Sequence, residues 1–369
     1  MRKLALHNAL EKAGASFAER YGVEVAAGVS GLKAEYHHIR DAVGLTDFSY
    51  AYRYRVPEQT GLDFLDNLVA GNVARVRFGR VLHTFIADED GQLVADCYIA
   101  NNDDEFIVLC ESLADGKGME TIFGSEEARQ AGVEALTNTT VLLGIDGYKA
   151  WAVAKELFGV DILGLPYMSI ETYQFESKPV RILRCGKTSE FGYLLLVPAE
   201  TAGALFDKLV DSVKKQGGGV CGTAVHDEVR LEGRFFNIFA EGAVVKDPLA
   251  LGLQWMIDFD KPKFRGSAAI SSRRQDGLSR KIIGVSAEPG CETLVRGARI
   301  FNGAEGVADV VASCHSHVLG RRLGLALFPV SVAYSGLKFN LGSADGPVVT
   351  TISMPPIMPK SLGVKLDEM

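Results

Sequence analysis

The stretch Val81–Asn102 (VLHTFIADEDGQLVADCYIANN) constrains this chain more than any other. Residues 81–87 and 93–99 alternate apolar and polar side chains on either side of Asp88-Glu89-Asp90-Gly91, the pattern of a β-hairpin with an acidic, glycine-ended turn. Two registers are compatible with it. A four-residue loop over 88–91 sets Ala87 opposite Gln92 and His83 opposite Asp96. A two-residue Asp90-Gly91 turn sets His83 opposite Tyr98 and Phe85 opposite Asp96. In both, His83 and Asp96 share a face, because strand side chains alternate with period 2. Directly opposed residues bring their Cβ atoms to about 4.5–5.5 Å, near enough for an imidazole and a carboxylate to form a hydrogen-bonded acid/base pair. A polar hairpin face is also what simple solvation produces, so the rest of the chain has to decide.

A chain of 369 residues exceeds the roughly 250–300 at which one hydrophobic core stops growing, so two or three domains are expected. With 47% hydrophobic and 23% charged residues, long disorder is excluded. The net charge is −7, and no basic cluster exceeds Gly320-Arg321-Arg322 or Ser271-Ser272-Arg273-Arg274, which argues against a nucleic-acid partner. Charges interrupt the first twenty residues where a signal peptide needs an apolar run, and no stretch approaches the roughly 18 apolar residues of a membrane span; a cytoplasmic protein is expected. Six cysteines without CxxC or CxxxC spacing signal neither zinc nor a disulfide framework. Cys314-His315-Ser316-His317 lacks a matching cluster elsewhere, so no metal site is expected.

Helical patterns cover 4–21, 33–43, 61–69, 115–129, 148–158, 201–215 and 223–230. Strand patterns cover 45–50, 106–109, 141–145, 170–176, 180–185 and 192–197, so the hairpin extends into a three-stranded meander. Around 273–280 the texture turns polar and charged. Beyond it, short strands (281–287, 298–301, 307–312, 322–328, 337–341, 348–353) alternate with Gly, Asn and Pro turns, the spacing of a small antiparallel barrel or sandwich. The expected division is 1–275 and 276–369.

Seven collinear segments resemble the T-protein (aminomethyltransferase) family, which includes folate-dependent demethylases: GLKAEYHHIRDAVGLTDFSY (31–50), GQLVADCYI (91–99), GIDGYKA (144–150), RCGKTSEFGYLLLVP (184–198), HDEVRLEG (226–233), PLALGLQWMIDFDKPKFRG (248–266) and LGRRLGLALF (319–328). The resemblance implies an α+β fold of three lobes, two intertwined α/β lobes and a C-terminal antiparallel β-barrel, with tetrahydrofolate in a central channel. It also implies a one-carbon (methyl or aminomethyl) transferase acting on a small-molecule donor. The family's acidic residue beside the reacting folate nitrogen falls at Asp96, where the hairpin parity leads independently.

Other implied pocket positions differ. A family tyrosine falls at His83, the pterin-anchoring glutamate at Leu194, an anchoring arginine at His226, and a further tyrosine at Ile238. With Tyr98 these are the expected cofactor-binding positions. Their chemistry leaves open a folate-independent or non-catalytic member that binds another small molecule. Glu190, Gly192, Asp227, Arg230 and Glu232 match the family, and the spacing of the last three also permits ordinary helix-surface pairs. Cys185 has no sequence-adjacent base and is not read as a nucleophile.

Overall fold

The computed structural model describes residues 2–20, 22–365 and 369. Its centre is two interleaved sheets. One has six strands in the order Ile170–Phe175, Lys178–Leu183, Gly192–Pro198, Thr140–Asp146, Gly44–Asp47, Gly219–Val220; the other has five, Val81–Ala87, Leu93–Asn102, Glu105–Ser112, Tyr52–Pro57, Glu134–Ala135. The chain crosses between them twice, from Gly44–Asp47 to Tyr52–Pro57 and from Glu134–Ala135 back to Thr140–Asp146. Arg53 stitches the crossings together. Its guanidinium, 1% exposed, donates to the carbonyls of Ser49 (2.9 Å), Ala51 (2.5 Å), Thr137 (2.5 Å) and Thr140 (3.0 Å). Burial lowers its pKa to about 10, so it stays charged at neutral pH.

The sheets meet through a shared apolar layer of Tyr98, Ala100, Ile107 and Leu109 from one and Leu142, Leu183, Leu194 and Leu196 from the other. Sequence pattern explains the outer covering. The helix Ala199–Lys215 buries Ala202, Leu205, Phe206, Leu209 and Val213 on one stripe against Leu143, Ile145, Leu195 and Val197. Glu200 in its first turn and Lys214 and Lys215 in its last suit the helix dipole. Six antiparallel strands, Arg280–Ala287, Arg299–Asn302, Glu305–Ser316, Arg321–Pro329, Lys338–Leu341 and Val348–Ile352, close into a barrel. This is the C-terminal β-barrel that the resemblance implies; the turn spacing alone allowed a barrel or a sandwich. Among the described residues no helix is long and apolar enough to cross a membrane.

Two helix expectations and the reading of the boundary texture need correction. The pattern over 4–21 yields a helix only at His7–Lys12. Gly14 takes φ +91°, and Ser16–Arg20 becomes an edge strand paired with Val23–Gly28, so sheet pairing overrides local periodicity; Tyr21 lies outside the described residues. The pattern over 115–129 splits into Gly116–Phe123 and Glu126–Gln130, because Ser125 Oγ caps the second helix by accepting from the Ala128 amide at 3.1 Å. The polar texture near 273 belongs partly to a helix, Ser267–Asp276, which ends at Gly277 (φ +79°) just before the first barrel strand.

Candidate functional site

The hairpin adopts the two-residue register: His83 pairs with Tyr98 and Phe85 with Asp96, and a bulge between Ile86 and Ala87 absorbs the acidic turn. His83 and Asp96 are therefore diagonal neighbours on one face, within reach of long side chains. The His83 Nε2–Asp96 Oδ1 distance is 2.7 Å, and both side chains are buried. The next strand adds Glu111 directly opposite Asp96. Two opposed carboxylates repel, and Lys187 resolves the conflict: its Nζ donates to Asp96 Oδ2 at 2.6 Å and also to Glu111 Oε2. Burial acts to raise the pKa of both acids, but the Lys187 charge overrides it and holds both below the usual carboxylate range, with His83 assisting at Asp96. Burial likewise disfavours the Lys187 ammonium, and the two carboxylates more than compensate.

The network continues outward. Tyr50 Oη donates to Glu111 Oε1 at 2.7 Å, Arg20 reaches Asp227 Oδ2 at 3.2 Å, and Asn237 Nδ2 donates to Asp227 Oδ1 at 2.6 Å. These groups form one wall of a cleft whose volume, mouth included, is about 740 Å³; Phe48, Ala51, Tyr98, Leu109, Leu142 and Leu194 form the apolar wall. The cleft thus sits where the intersheet layer runs out of side chains to fill it.

Of the sequence-derived positions, Asp96, Tyr98, Leu194 and His226 line this cleft. His226 is held neutral, its pKa lowered to about 4 by burial, and its Nε2 lies 2.9 Å from Thr46 Oγ1. His83 stands behind Asp96, its ring 4.3 Å from that of Tyr98 and 5.3 Å from that of Trp255. Ile238 does not reach the cleft: it is fully buried in an apolar cluster with Phe236, Leu231 and Val245, so the expected cofactor contact there is replaced by core packing. The helix-surface reading of 227–232 also fails. Arg230 forms a buried pair with Glu241 at 2.6 Å, Glu232 binds Arg40 at 2.7 Å, and Asp227 faces the cleft. Cys314 packs into the core while His315, on the opposite strand face, is partly exposed, so the two point apart. Burial pushes the Cys185 thiol up, which leaves it inert as a nucleophile.

Sequence reasoning missed Lys187, Glu111, Arg20, Tyr50 and Asp146. Glu111 was legible, since extending the meander's parity by one strand sets it on the Asp96 face. Lys187 and Arg20 arrive from distant segments and carry no local signal.

Comparison with known proteins agrees with this architecture. The chain is 26% identical over 356 residues to an aminomethyltransferase of Corynebacterium jeikeium, covering 91% of each chain, and 27% identical over 367 residues to one of Mycobacterium tuberculosis, covering 96% of this chain and 97% of that one. Its fold matches the glycine cleavage system aminomethyltransferase T of Bartonella henselae with a TM-score of 0.82 at 22% identity, over 97% of this chain and 98% of that chain. The GCVT N-terminal domain model matches residues 6–261, more than half of the sequence, and the chain belongs to that family.

Proposed function

We propose that this protein is a one-carbon transferase that takes a methyl or aminomethyl unit from a small-molecule donor and passes it to tetrahydrofolate. The observation that carries this reading is the convergence of Asp96, Lys187 and Glu111 on a cleft between the two interleaved sheets, with His83 bonded to Asp96 from behind. Tetrahydrofolate, when bound, supplies the nucleophilic nitrogen that accepts the one-carbon unit. Phe48, Tyr98 and the leucines offer apolar faces on which a flat heteroaromatic ring can rest, and the cleft offers one carboxyl, Asp146, with no cation paired to it among the described residues. It lacks the contacts implied at Leu194 and His226, so the ring is held in a shifted pose and weakly.

The chain's own groups act electrostatically. Asp96 is anionic at neutral pH and too weak a base to pull a proton unaided, since base efficiency is greatest for a pKa near the working pH. It serves instead to orient an N–H donor and to stabilise positive charge developing on nitrogen. His83 Nε2–H donates to Asp96 Oδ1 at 2.7 Å and so fixes the orientation of that carboxylate. Leu194 and neutral His226 favour a second reading, a folate-independent ligand in the same cleft. Mass spectrometry of ligand released from the purified protein, followed by calorimetric titration with tetrahydrofolate, separates the two. A copurified ligand that is not a pteridine, with no heat on titration, overturns the folate reading.

A further inference from the structure

Four carboxylates line the cleft, and three have cations: Asp96 and Glu111 share Lys187, and Asp227 has Arg20. Asp146 has none among the described residues. It is 2% exposed, and its side-chain partner is the Thr188 hydroxyl. Burial keeps the thiols of Cys185 and Cys221 protonated, and the Asp146 charge acts in the same direction. A buried carboxyl without a cation is costly to hold and calls for a use.

Position supplies one. The strand Thr140–Asp146 pairs with Gly192–Pro198 so that Gly144 opposes Leu194 and Asp146 opposes Gly192. Residues 144 and 146 share a face, so the Asp146 carboxyl lies one diagonal step from Leu194, on the same side of the sheet. The carboxyl lines the cleft while its Oδ1 packs against two glycines. A Cβ at Gly186 or Gly192 would come within 2.7 or 2.8 Å of Asp146 Oδ1, although neither glycine has a positive φ. Glycine is therefore needed at both places for room around this carboxyl, not for backbone conformation.

We propose that Asp146 is the ligand-anchoring carboxyl of the cleft and that its ligand presents an edge of adjacent N–H donors, as the amino-oxopyrimidine edge of a pteridine does. The proposal deepens the folate reading by naming the group that replaces the acceptor missing at Leu194. Its chemistry also applies to any ligand with a 2-amino-4-oxopyrimidine edge. Binding two N–H donors stabilises the ionised carboxyl, while burial raises the free carboxyl's pKa to about 7. Affinity should therefore rise with pH, roughly tenfold between about pH 6 and pH 8, as the proton that the free protein holds no longer has to be expelled. Of the other charged groups facing the cleft, His226 titrates near 4, Lys187 is held protonated well above this range, Asp96 and Glu111 are already ionised, and Arg20 and Arg230 stay charged. Burial raises Asp227 as well, against the pull of Arg20, so the pH response of Asp146→Asn is what assigns the step to Asp146.

The test titrates the whole protein calorimetrically at both pH values with two probes: tetrahydrofolate, and isocytosine, which carries only the amino-oxopyrimidine edge. 4-Pyrimidinone, which lacks the amino group, is the control. The expected result is pH-dependent binding of isocytosine, roughly ten- to a hundredfold weaker binding of 4-pyrimidinone, and the same loss together with a flat pH response in Asp146→Asn. Thermal denaturation of Asp146→Asn checks that the fold is intact, and Asp146→Glu provides a second variant that keeps the charge. Tetrahydrofolate binding that is equal in wild type and Asp146→Asn at both pH values overturns the anchor and leaves the folate reading standing. Isocytosine binding without tetrahydrofolate binding overturns the folate reading and retains the anchor. Failure of wild type to bind either probe overturns the anchor.

Discussion

Replacing Lys187 with methionine should make the stability of this protein depend on pH in the opposite sense to wild type. Asp96 and Glu111 are register partners, so their carboxylates face each other across about 5 Å of sheet. In wild type the ammonium between them lowers both pKa values below those of an unfolded chain. A depressed carboxyl contributes stability above its unfolded pKa of about 4 and loses that contribution as pH falls through the folded value, so the wild type weakens in acid. Methionine keeps most of the volume and removes the charge. Two opposed, buried carboxylates cannot both ionise at low cost, so the pair takes up a proton and one apparent pKa rises above 4. The variant then loses stability as pH rises from about 4 toward 7, and its deficit against wild type grows across that window to about 3–5 kcal/mol, the usual cost of stripping one partner from a buried ion pair. Melting temperatures of both proteins at pH 4.5, 6 and 7.5 measure the effect. Adding Glu111→Gln, which removes the second carboxylate, should restore most of the loss. An equal deficit at all three pH values, with no recovery in the double variant, would show that Lys187 merely fills space.

Asp96→Asn should lower kcat by roughly a hundred- to a thousand-fold, the loss expected when one preorganised electrostatic group is removed; wild-type turnover in that variant rules out the assigned role. Leu194→Glu combined with His226→Arg should tighten tetrahydrofolate binding by about ten- to a hundredfold, by restoring an acceptor and a permanent charge; a calorimetric Kd that is unchanged or weaker contradicts the argument from those substitutions. We also propose that the chain divides near residue 276. Limited proteolysis should then cut first in the short link between Gly277 and the barrel strand at Arg280 rather than inside the helix Ser267–Asp276, and a first cut mapped elsewhere by mass spectrometry would refute the division.

Alternation made the hairpin, the meander and nearly every barrel strand legible, since each reports its own burial within a few residues. The shared face of His83 and Asp96 followed from parity, which holds in either register. What decided between the registers was the bulge at Ile86 and Ala87, a feature of turn closure rather than of pattern. The N-terminal segment misled because Phe17 and Ala18 suit both a helix stripe and an edge strand, and only Val23–Gly28 selects the strand. Lys187 was hidden for a different reason. It stands beside Asp96 and Glu111 in space but 91 and 76 residues away in sequence, and nothing local to Gly186-Lys187-Thr188 marks a buried cation.

The double crossing of the sheets has a consequence for biosynthesis. Gly44–Asp47 lies between Thr140–Asp146 and Gly219–Val220, so one of its edges stays open until the ribosome has made about 170 further residues. At ordinary elongation speeds that interval lasts roughly ten to thirty seconds, during which the nascent chain carries unpaired strand edges and an unfilled apolar layer. Fragments that stop short of Val220 should therefore need a holding chaperone to remain in solution, and slow codons placed just before that point would lengthen the exposure.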